Sequence, residues 1–198
     1  MAEKVLGRRE VLQGLMGTVG AGFAMPALAA THPMHGHLAD HARVAAADAR
    51  ASAGARPEFL DARQLETLLL LAERILPGST RAKVAPFIDQ LLAVDTPKNQ
   101  RAFLNAFSAL EDESIARYGR RWKVLSDAQQ VDLLTAASTG GPSPRPSAPA
   151  TLQDRFEHVK GWIVGAYYSS EIGMRELGWT GNVFFASFPG CKHPGGHR

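Results

Sequence analysis

Apolar side chains recur every three or four residues along much of the chain after residue 58, which is the spacing of one face of an α-helix. The first stripe follows Asp61, which forms a capping-box pattern with Gln64, and it stops at Pro77 and Gly78. Its apolar members are Leu65, Leu68, Leu69, Ala72, Ile75 and Leu76. We therefore predict a helix that begins after Asp61 and ends before Pro77.

Two further helices are predicted between residues 82 and 118. The first, near 82–94, tolerates Pro86 in its first turn. It places one apolar set on one side, namely Val84, Phe87, Ile88, Leu91 and Leu92. Thr96 then caps the next helix, with Pro97 at its first position. The apolar face of that helix comprises Phe103, Phe107, Leu110, Ile115 and Tyr118.

The remaining helical patterns lie on either side of a Pro/Ser-rich loop over residues 138–150. Ser126 and Gln129 form a capping box for a short helix whose apolar positions are Val131, Leu133 and Leu134. A long last helix is predicted over 151–177. Its inward residues are Phe156, Val159, Ile163, Ala166, Tyr167 and Met174. Since no segment alternates with a period of two, the predicted class is all-α, a small bundle of about five helices.

Both ends of the chain differ from this bundle. Residues 30–57 are rich in Ala and His without a convincing apolar face, and we predict a flexible, disordered arm that is helical only around 44–50. The C-terminal tail is irregular and rich in glycine, and it carries the aromatic residues Trp179, Phe184, Phe185 and Phe188. Such rings need a covering surface, either this domain itself or another subunit.

The first 29 residues have the pattern of a twin-arginine export signal. Arg8 and Arg9 precede a charge-free run over 11–30, which ends near the small residues Ala27 and Ala29. A membrane anchor is disfavoured because four glycines and two polar residues weaken the run, and a general secretory signal is the other alternative. We predict three parts, namely a signal over 1–29, an arm over 30–57 and a helical domain over 58–198. The twin-arginine route carries folded passengers, so this signal places the protein in the periplasm.

Composition and charge limit the classes of molecule that the chain is expected to contact. The chain has 198 residues, of which 45% are hydrophobic, enough for one domain with a core. Its net charge of +3 comes without a basic run interleaved with aromatics, so nucleic acid is not an expected partner. No later stretch is long and apolar enough to span a membrane. The single cysteine, Cys191, cannot form an internal disulfide, and it is either free, paired with another chain or a metal ligand.

Two clusters contain side chains that ligate metals. One is His32, His35, His37 and His41 on the predicted arm, and the other is Cys191 with His193 and His197. Neither is accompanied by an ordered scaffold, and Pro-Gly-Gly separates the two C-terminal histidines near the chain end. We therefore assign no metal site, with His193 and His197 as weak candidates. A periplasmic metal-binding or electron-transfer protein is the alternative function.

No catalytic constellation is recognisable. The chain contains neither the G-x-S-x-G motif of a nucleophilic serine nor a phosphate-binding glycine motif. Ser169 and Ser170 lie inside a helical pattern without a paired histidine nearby. Glu111, Asp112 and Glu113 are most simply a solvated helix face. We expect a chain that is not itself an enzyme and holds no cofactor of its own.

Three stretches resemble one family. "ILPGSTRAKVAPFIDQLLA" (75–93), "YGRRWKVLSDAQQVDLL" (118–134) and "FEHVKGWIVGAYYSSEIGMRELGWTGNVFFASFPGC" (156–191) are similar to the gluconate 2-dehydrogenase subunit 3 family. The resemblance implies the small subunit of a membrane-associated sugar, sugar-acid or polyol dehydrogenase. A large subunit of the glucose-methanol-choline type would hold FAD and oxidise the substrate, and a c-type cytochrome subunit would pass on the electrons.

The resemblance also implies roles for particular residues. Arg8 and Arg9 would export the flavin subunit together with this chain, which would be required for its folding and maturation. The positions that match the family's C-terminal motif are Tyr167, Tyr168, Ser169, Ser170, Glu171, Leu177, Gly178, Gly181 and Asn182. A clamp of this kind anchors through aromatics, and the expected partner interface consists of Tyr167, Tyr168, Trp179, Phe184, Phe185 and Phe188. Cys191 is the candidate for an intersubunit disulfide in the periplasm. The histidine arm and the end after Cys191 depart from the family pattern.

Overall fold

A computed structural model describes residues 33–38, 40–144 and 148–178, and every regular element within these ranges is helical. The eight α-helices of this part are α1 (His35–Leu38), α2 (His41–Ser52), α3 (Ala62–Ile75), α4 (Val84–Ala93), α5 (Pro97–Tyr118), α6 (Asp127–Thr139), α7 (Leu152–Ser169) and α8 (Glu171–Glu176). A short 3-10 turn, Trp122–Val124, joins α5 to α6. The predicted all-α bundle is confirmed, and its five helices correspond to α3–α7.

The predicted helix starts are confirmed by their hydrogen bonds. At α3 the backbone N–H of Gln64 donates to Asp61 Oδ1 over 2.7 Å, and the N–H of Asp61 donates to Gln64 Oε1 over 2.9 Å. Ser126 and Gln129 form the same reciprocal pair at α6. Such a cap satisfies backbone donors that the helix leaves free, and each contributes about 1 kcal/mol.

The core lies around α4 and α7. Helix α4 contacts α2, α3, α5 and α7, while α7 contacts α3, α4, α5, α6 and α8. The apolar positions predicted for these two helices are all buried. The largest fully buried side chains include Trp122, Trp162, Tyr167, Phe103 and Met34. Burial of each large apolar side chain contributes about 1.5–3 kcal/mol, and these side chains come from several elements that meet around α4 and α7.

A buried carboxylate ties the start of the domain to α4. Asp89 is only 1% exposed, and its side chain accepts hydrogen bonds from the backbone N–H groups of Glu58, Phe59 and Leu60 at 2.8, 3.1 and 2.7 Å. A carboxylate can be buried where its lone pairs are satisfied in this way. Asp89 therefore fixes the segment that leads into α3.

Two predicted apolar positions lie on the surface instead. Ile115 is 46% exposed, because the buried face of α5 continues through Ser114, and the next residue lies about 100° around the helix. Val131 is 51% exposed, because α6 buries Gln130, Leu133 and Ala137. In both helices the packed face is narrower than the apolar pattern suggested.

The segment predicted as a flexible arm differs from that expectation in its described part. Helix α2 covers residues 41–52 rather than only 44–50, and it packs on α4 through Ala47 and Ala51, which are 1% and 3% exposed. Small alanine side chains permit this close approach, although they do not form an obvious apolar stripe. Met34 and His37 are also buried, and His37 Nε2 lies 2.9 Å from Asp95 Oδ2.

Candidate functional site

The last long helix predicted by the sequence is broken at Ser170, which ends α7 and begins α8. Its Oγ donates to the carbonyl oxygen of Tyr167 at 2.6 Å and accepts from the backbone N–H of Gly173 at 3.1 Å. A Cβ atom on Gly173 would lie 2.4 Å from that same Tyr167 oxygen. The turn can therefore be this tight only because residue 173 is a glycine.

The side chain of Tyr167 fixes α8 against α7. Its ring is fully buried, and its hydroxyl donates to Glu176 Oε1 at 2.7 Å. The hydrogen bond to Glu176, assisted by burial, raises the pKa of Tyr167 to about 12. The ring of Tyr168 meets that of Tyr167 edge to face, with centroids 5.2 Å apart. We name this arrangement of Tyr167, Ser170, Gly173 and Glu176 the elbow.

The elbow contacts the loop over residues 76–83, which we name the 76–83 loop. A Cβ atom on Gly78, whose φ is 97°, would lie 3.1 Å from the hydroxyl of Tyr167. Gly78 and Glu176 therefore approach the same phenol oxygen. This contact joins two of the three stretches that carry the family resemblance, although about 90 residues separate them along the chain.

The 76–83 loop is held by its own hydrogen bonds. The carboxylate of Glu73 accepts from the backbone N–H groups of Gly78 and Thr80, both at 2.8 Å, and these bonds lower the pKa of Glu73. Ser79 is buried, and its hydroxyl donates to the carbonyl oxygen of Leu76 at 2.6 Å. The loop is thus a defined surface rather than a loose connection.

Two cations of the loop face solvent. Arg81 and Lys83 are both exposed, and neither forms an ion pair with another residue that the structure describes. Together with Glu73, Gly78 and Thr80 they line an open cleft of about 590 Å³. Lys83 occupies the N-cap position of α4 with a φ of 55°. This is the left-handed region of the backbone, which residues other than glycine rarely adopt.

A second cleft, of about 500 Å³, shares Glu73 with the first. It adds apolar surface from Leu70, which is 43% exposed, and from Pro77 and Leu125. The end of α8 lies near the 76–83 loop, because Glu176 and Gly78 both approach the hydroxyl of Tyr167. The two clefts thus place a polar surface and an apolar surface side by side.

Of the expected interface residues, only Tyr167 and Tyr168 lie in the described part. Tyr167 is 0% exposed, which corrects the expectation that it contacts a partner directly, since it positions α8 from within the core. Tyr168 is half-buried. The other expected interface and thiol positions, namely Trp179, Phe184, Phe185, Phe188 and Cys191, lie outside the described residues, as do the signal positions Arg8, Arg9, Ala27 and Ala29.

The histidine clusters do not come together as a site in the described part. His37 is buried against Asp95 and the ring of Trp162, whereas His41 is exposed. His32, His193 and His197 lie outside the described residues. Across residues 33–38, 40–144 and 148–178, no group of three His, Cys, Asp or Glu side chains has an arrangement that could hold a metal ion. Within the same ranges no helix has the length and apolarity needed to cross a membrane.

Glu111 was expected to be a solvated charge on a helix face, but it is half-buried. It lines a pocket of about 200 Å³ between α3 and α5, together with Arg63 and Arg121. Burial raises the pKa of its carboxyl, and the charge of Arg121 opposes that rise. This pocket is lined by other residues than the elbow and the two clefts.

Sequence reasoning missed Glu73, Arg81, Lys83 and Glu176. Pro77 and Gly78 were recognised only as a helix stop, although the polar residues that follow them were a signal of a structured loop. Glu176 has the pattern of an ordinary exposed residue, and only the break at Ser170 brings it to Tyr167. Glu73, Arg81 and Lys83 line the first cleft, and Glu176 belongs to the elbow.

Comparison with known proteins concerns the part of the chain that contains the 76–83 loop and the elbow. No curated protein and no solved structure matches the chain. The family model described as gluconate 2-dehydrogenase subunit 3 matches residues 62–190, a range that contains the 76–83 loop, the elbow and part of the aromatic tail. Because this match covers more than half of the sequence, the chain belongs to the gluconate 2-dehydrogenase subunit 3 family, whose members are accessory subunits of a dehydrogenase complex.

Proposed function

We propose that this chain is the non-catalytic small subunit of a periplasmic, membrane-associated dehydrogenase of sugars, sugar acids or polyols. Its large partner would be a FAD-containing subunit of the glucose-methanol-choline type, and a c-type cytochrome subunit would complete the complex and attach it to the membrane. The small subunit folds onto the large one in the cytoplasm, supports its maturation and exports it through the twin-arginine route.

One structural observation carries this proposal. The elbow holds the end of α8 beside the 76–83 loop, through the contacts of Tyr167 with Glu176 and Gly78. The sequence that follows α8 contains Trp179, Phe184, Phe185 and Phe188, and large aromatics dominate binding energy at interfaces, so this part of the chain suits an anchor for another protein. Membership of a family of accessory subunits agrees with this role.

The first test is affinity purification of the tagged full chain from its native host, with an absorption spectrum of the eluate. We expect a larger chain with flavin bands, whose activity on sugars and polyols then identifies the substrate. A matched variant that ends at Gly178 lacks the tail and should lose the flavin chain. A lone chain that carries stoichiometric metal would overturn the proposal in favour of the metal-binding alternative.

Export is tested separately with Arg8→Lys combined with Arg9→Lys. Twin-arginine export requires the pair of arginines, so both subunits should accumulate in the cytoplasm, with the flavin already bound. A variant with Lys4→Arg changes a nearby cation and should leave export unchanged. Normal delivery of the flavin subunit by the double-lysine chain would contradict the escort role.

The role proposed for Cys191 is a disulfide with the partner. Two thiols would lose two electrons and two protons to the thiol-oxidising system of the periplasm. Electrophoresis of the complex with and without reductant measures this directly, and Cys191→Ser is the control. A single small-subunit band under both conditions would contradict the link without affecting the escort role.

A further inference from the structure

The 76–83 loop carries two positive charges that form no ion pair within the described part of the domain. Seven Lys and Arg side chains of the described residues form ion pairs there, for example Arg74 with Asp127 and Lys123 with Glu66. Arg81 and Lys83 are exposed and have no such partner among the described residues. Glu73 lines the same cleft, and its carboxylate already accepts two backbone hydrogen bonds. These bonds and, to a smaller extent, the charge of Arg81 lower the pKa of Glu73.

The backbone that carries the two cations is also held in place. The hydrogen bonds of Glu73 and the buried Ser79 fix the loop, and Gly78 packs on the hydroxyl of Tyr167. A rigid backbone loses less conformational entropy when it binds a partner than a mobile loop does. The preformed geometry therefore favours recognition by Arg81 and Lys83 over a purely solubilising role for them.

The backbone of Lys83 adds an independent observation. Its φ of 55° is the only positive value at a non-glycine residue in the described part of the chain. A glycine would adopt this conformation without strain, as glycine does at Gly78 and Gly119. A lysine here gives up some backbone stability for a charge at this point of the surface.

We propose that the 76–83 loop binds an acidic surface of the large subunit. The planar guanidinium of Arg81 pairs with a carboxylate there, and Lys83 adds a second ionic contact. This inference rests on the proposed function, and it adds a polar contact beside the aromatic tail. An acidic protein surface fits better than a membrane. Lipid-binding segments carry clusters of four to eight cations, whereas this loop has two, flanked by the apolar surface of Leu70, Pro77 and Leu125.

The test uses the full chain, tagged and co-expressed with the flavin subunit that the wild-type chain retains. Arg81→Glu combined with Lys83→Glu should retain at least about tenfold less flavin subunit in low salt, because two attractive contacts become repulsive. The residual binding of this variant should rise with salt, which screens the repulsion, whereas that of the wild type should fall. Arg81→Gln combined with Lys83→Gln should give an intermediate loss.

The matched control reverses two other exposed cations, Lys98→Glu with Arg101→Glu. These lie in the first turns of α5, beyond the far end of α4, which is about 15 Å long. The change in net charge is the same, and retention should stay at the wild-type level. Equal loss in both double variants would overturn the proposal, since it would reveal a general charge effect rather than a local contact.

Lys83→Gly separates binding from folding. The glycine removes the charge and the strained backbone together, so this variant should melt at the same temperature as the wild type or higher, while it retains less flavin subunit. Lys83→Gln keeps the strain and should lose the same amount of binding. Undiminished retention by both variants would refute a contact through Lys83.

The test distinguishes failure of the proposed function from failure of the loop contact. If the wild-type chain brings down no flavin subunit, the proposed function fails, and this inference fails with it. If the wild type retains the subunit and the double reversal does so equally well, only the loop contact is refuted. Vesicles containing anionic phosphatidylglycerol test the membrane alternative, and vesicle binding lost upon reversal with full retention of the flavin subunit would overturn the proposal.

Discussion

The hydroxyl of Tyr167 donates a hydrogen bond of 2.7 Å to the carboxylate of Glu176, across the break between α7 and α8. The two residues are nine positions apart, a separation at which a continuous helix would hold them about 13 Å apart along its axis. They meet because the chain turns at Ser170. This single bond ties α8 to the core of the domain.

Replacement of Tyr167 by Phe removes this bond and keeps the buried ring. We expect a loss of about 1 kcal/mol in the free energy of unfolding at neutral pH, because Glu176 is exposed and water can replace the lost donor. Tyr168→Phe, at a half-buried ring beside it, should change stability little. Urea unfolding of the three chains measures the difference.

The same pair predicts a dependence on pH. The pKa of Tyr167 is raised to about 12, above the value near 10 of an unfolded tyrosine. The protonated phenol is therefore favoured in the folded state, and the bond contributes fully below pH 10 and is lost as the pH rises through 12. The stability difference between wild type and Tyr167→Phe should disappear over this range. A difference that stays constant up to pH 12 would contradict the assigned bond.

Gly173→Ala tests the tightness of the elbow. The added Cβ would lie 2.4 Å from the carbonyl oxygen of Tyr167, which is backbone and cannot move aside cheaply. We expect a loss of about 2–3 kcal/mol and weaker retention of the large subunit. Gly140→Ala is the control, since its Cβ meets only the carbonyl oxygen of Ala136 at 3.4 Å. Calorimetry of both variants checks this, and equal melting temperatures would refute the steric reasoning.

Glu73→Gln tests the anchor of the 76–83 loop. The backbone N–H groups of Gly78 and Thr80 lower the pKa of Glu73, so its charged form is favoured in the folded state. Its contribution, about 1 kcal/mol for these half-exposed bonds, is present above the unfolded pKa and is lost as the pH falls through the lowered one. The free energies of unfolding of the wild type and of Glu73→Gln should thus differ at pH 7 and become equal in acid. Glu66→Gln, at a carboxylate that pairs with Lys123 on the surface, should show almost no difference at pH 7.

Asp89→Ala tests the connection between the first part of the domain and α4. Three backbone N–H groups would lose their acceptor, and the one of Leu60 is buried. We expect a loss of about 3 kcal/mol, together with faster hydrogen exchange at residues 58–60. Asp48→Ala, at an exposed position on α2, is the matched control. Unchanged exchange at these three amides would show that Asp89 is not their acceptor in solution.

Several parts of the fold were predictable because they depend on neighbours three or four residues apart. The capping boxes at Asp61 and Ser126 and the Thr96 cap were read directly from residue types, and the structure forms each of them. The buried faces of α4 and α7 also followed from apolar spacing. Local patterns of this kind carry their own geometry, since the helix fixes which positions are adjacent.

The break at Ser170 was missed for a definite reason. Apolar spacing continues through Met174, which is buried, so the pattern resembles that of one uninterrupted helix. The competing signal was the pair of a serine hydroxyl and a glycine three residues later, which caps a new helix. The left-handed lysine at position 83 carried no signal, because a lysine rarely occupies that conformation.

The sequence by itself determined the helical class, the helix starts, the main apolar faces and the family to which the chain belongs, because these depend on residue types at short spacing. Only the tertiary structure decided that His37 meets Asp95, that Asp89 holds residues 58–60, and that the 76–83 loop touches the elbow. Such contacts join residues 29 to 89 positions apart. They exist because segments distant along the chain pack on α4 and α7, and helical spacing along the chain carries no information about that packing.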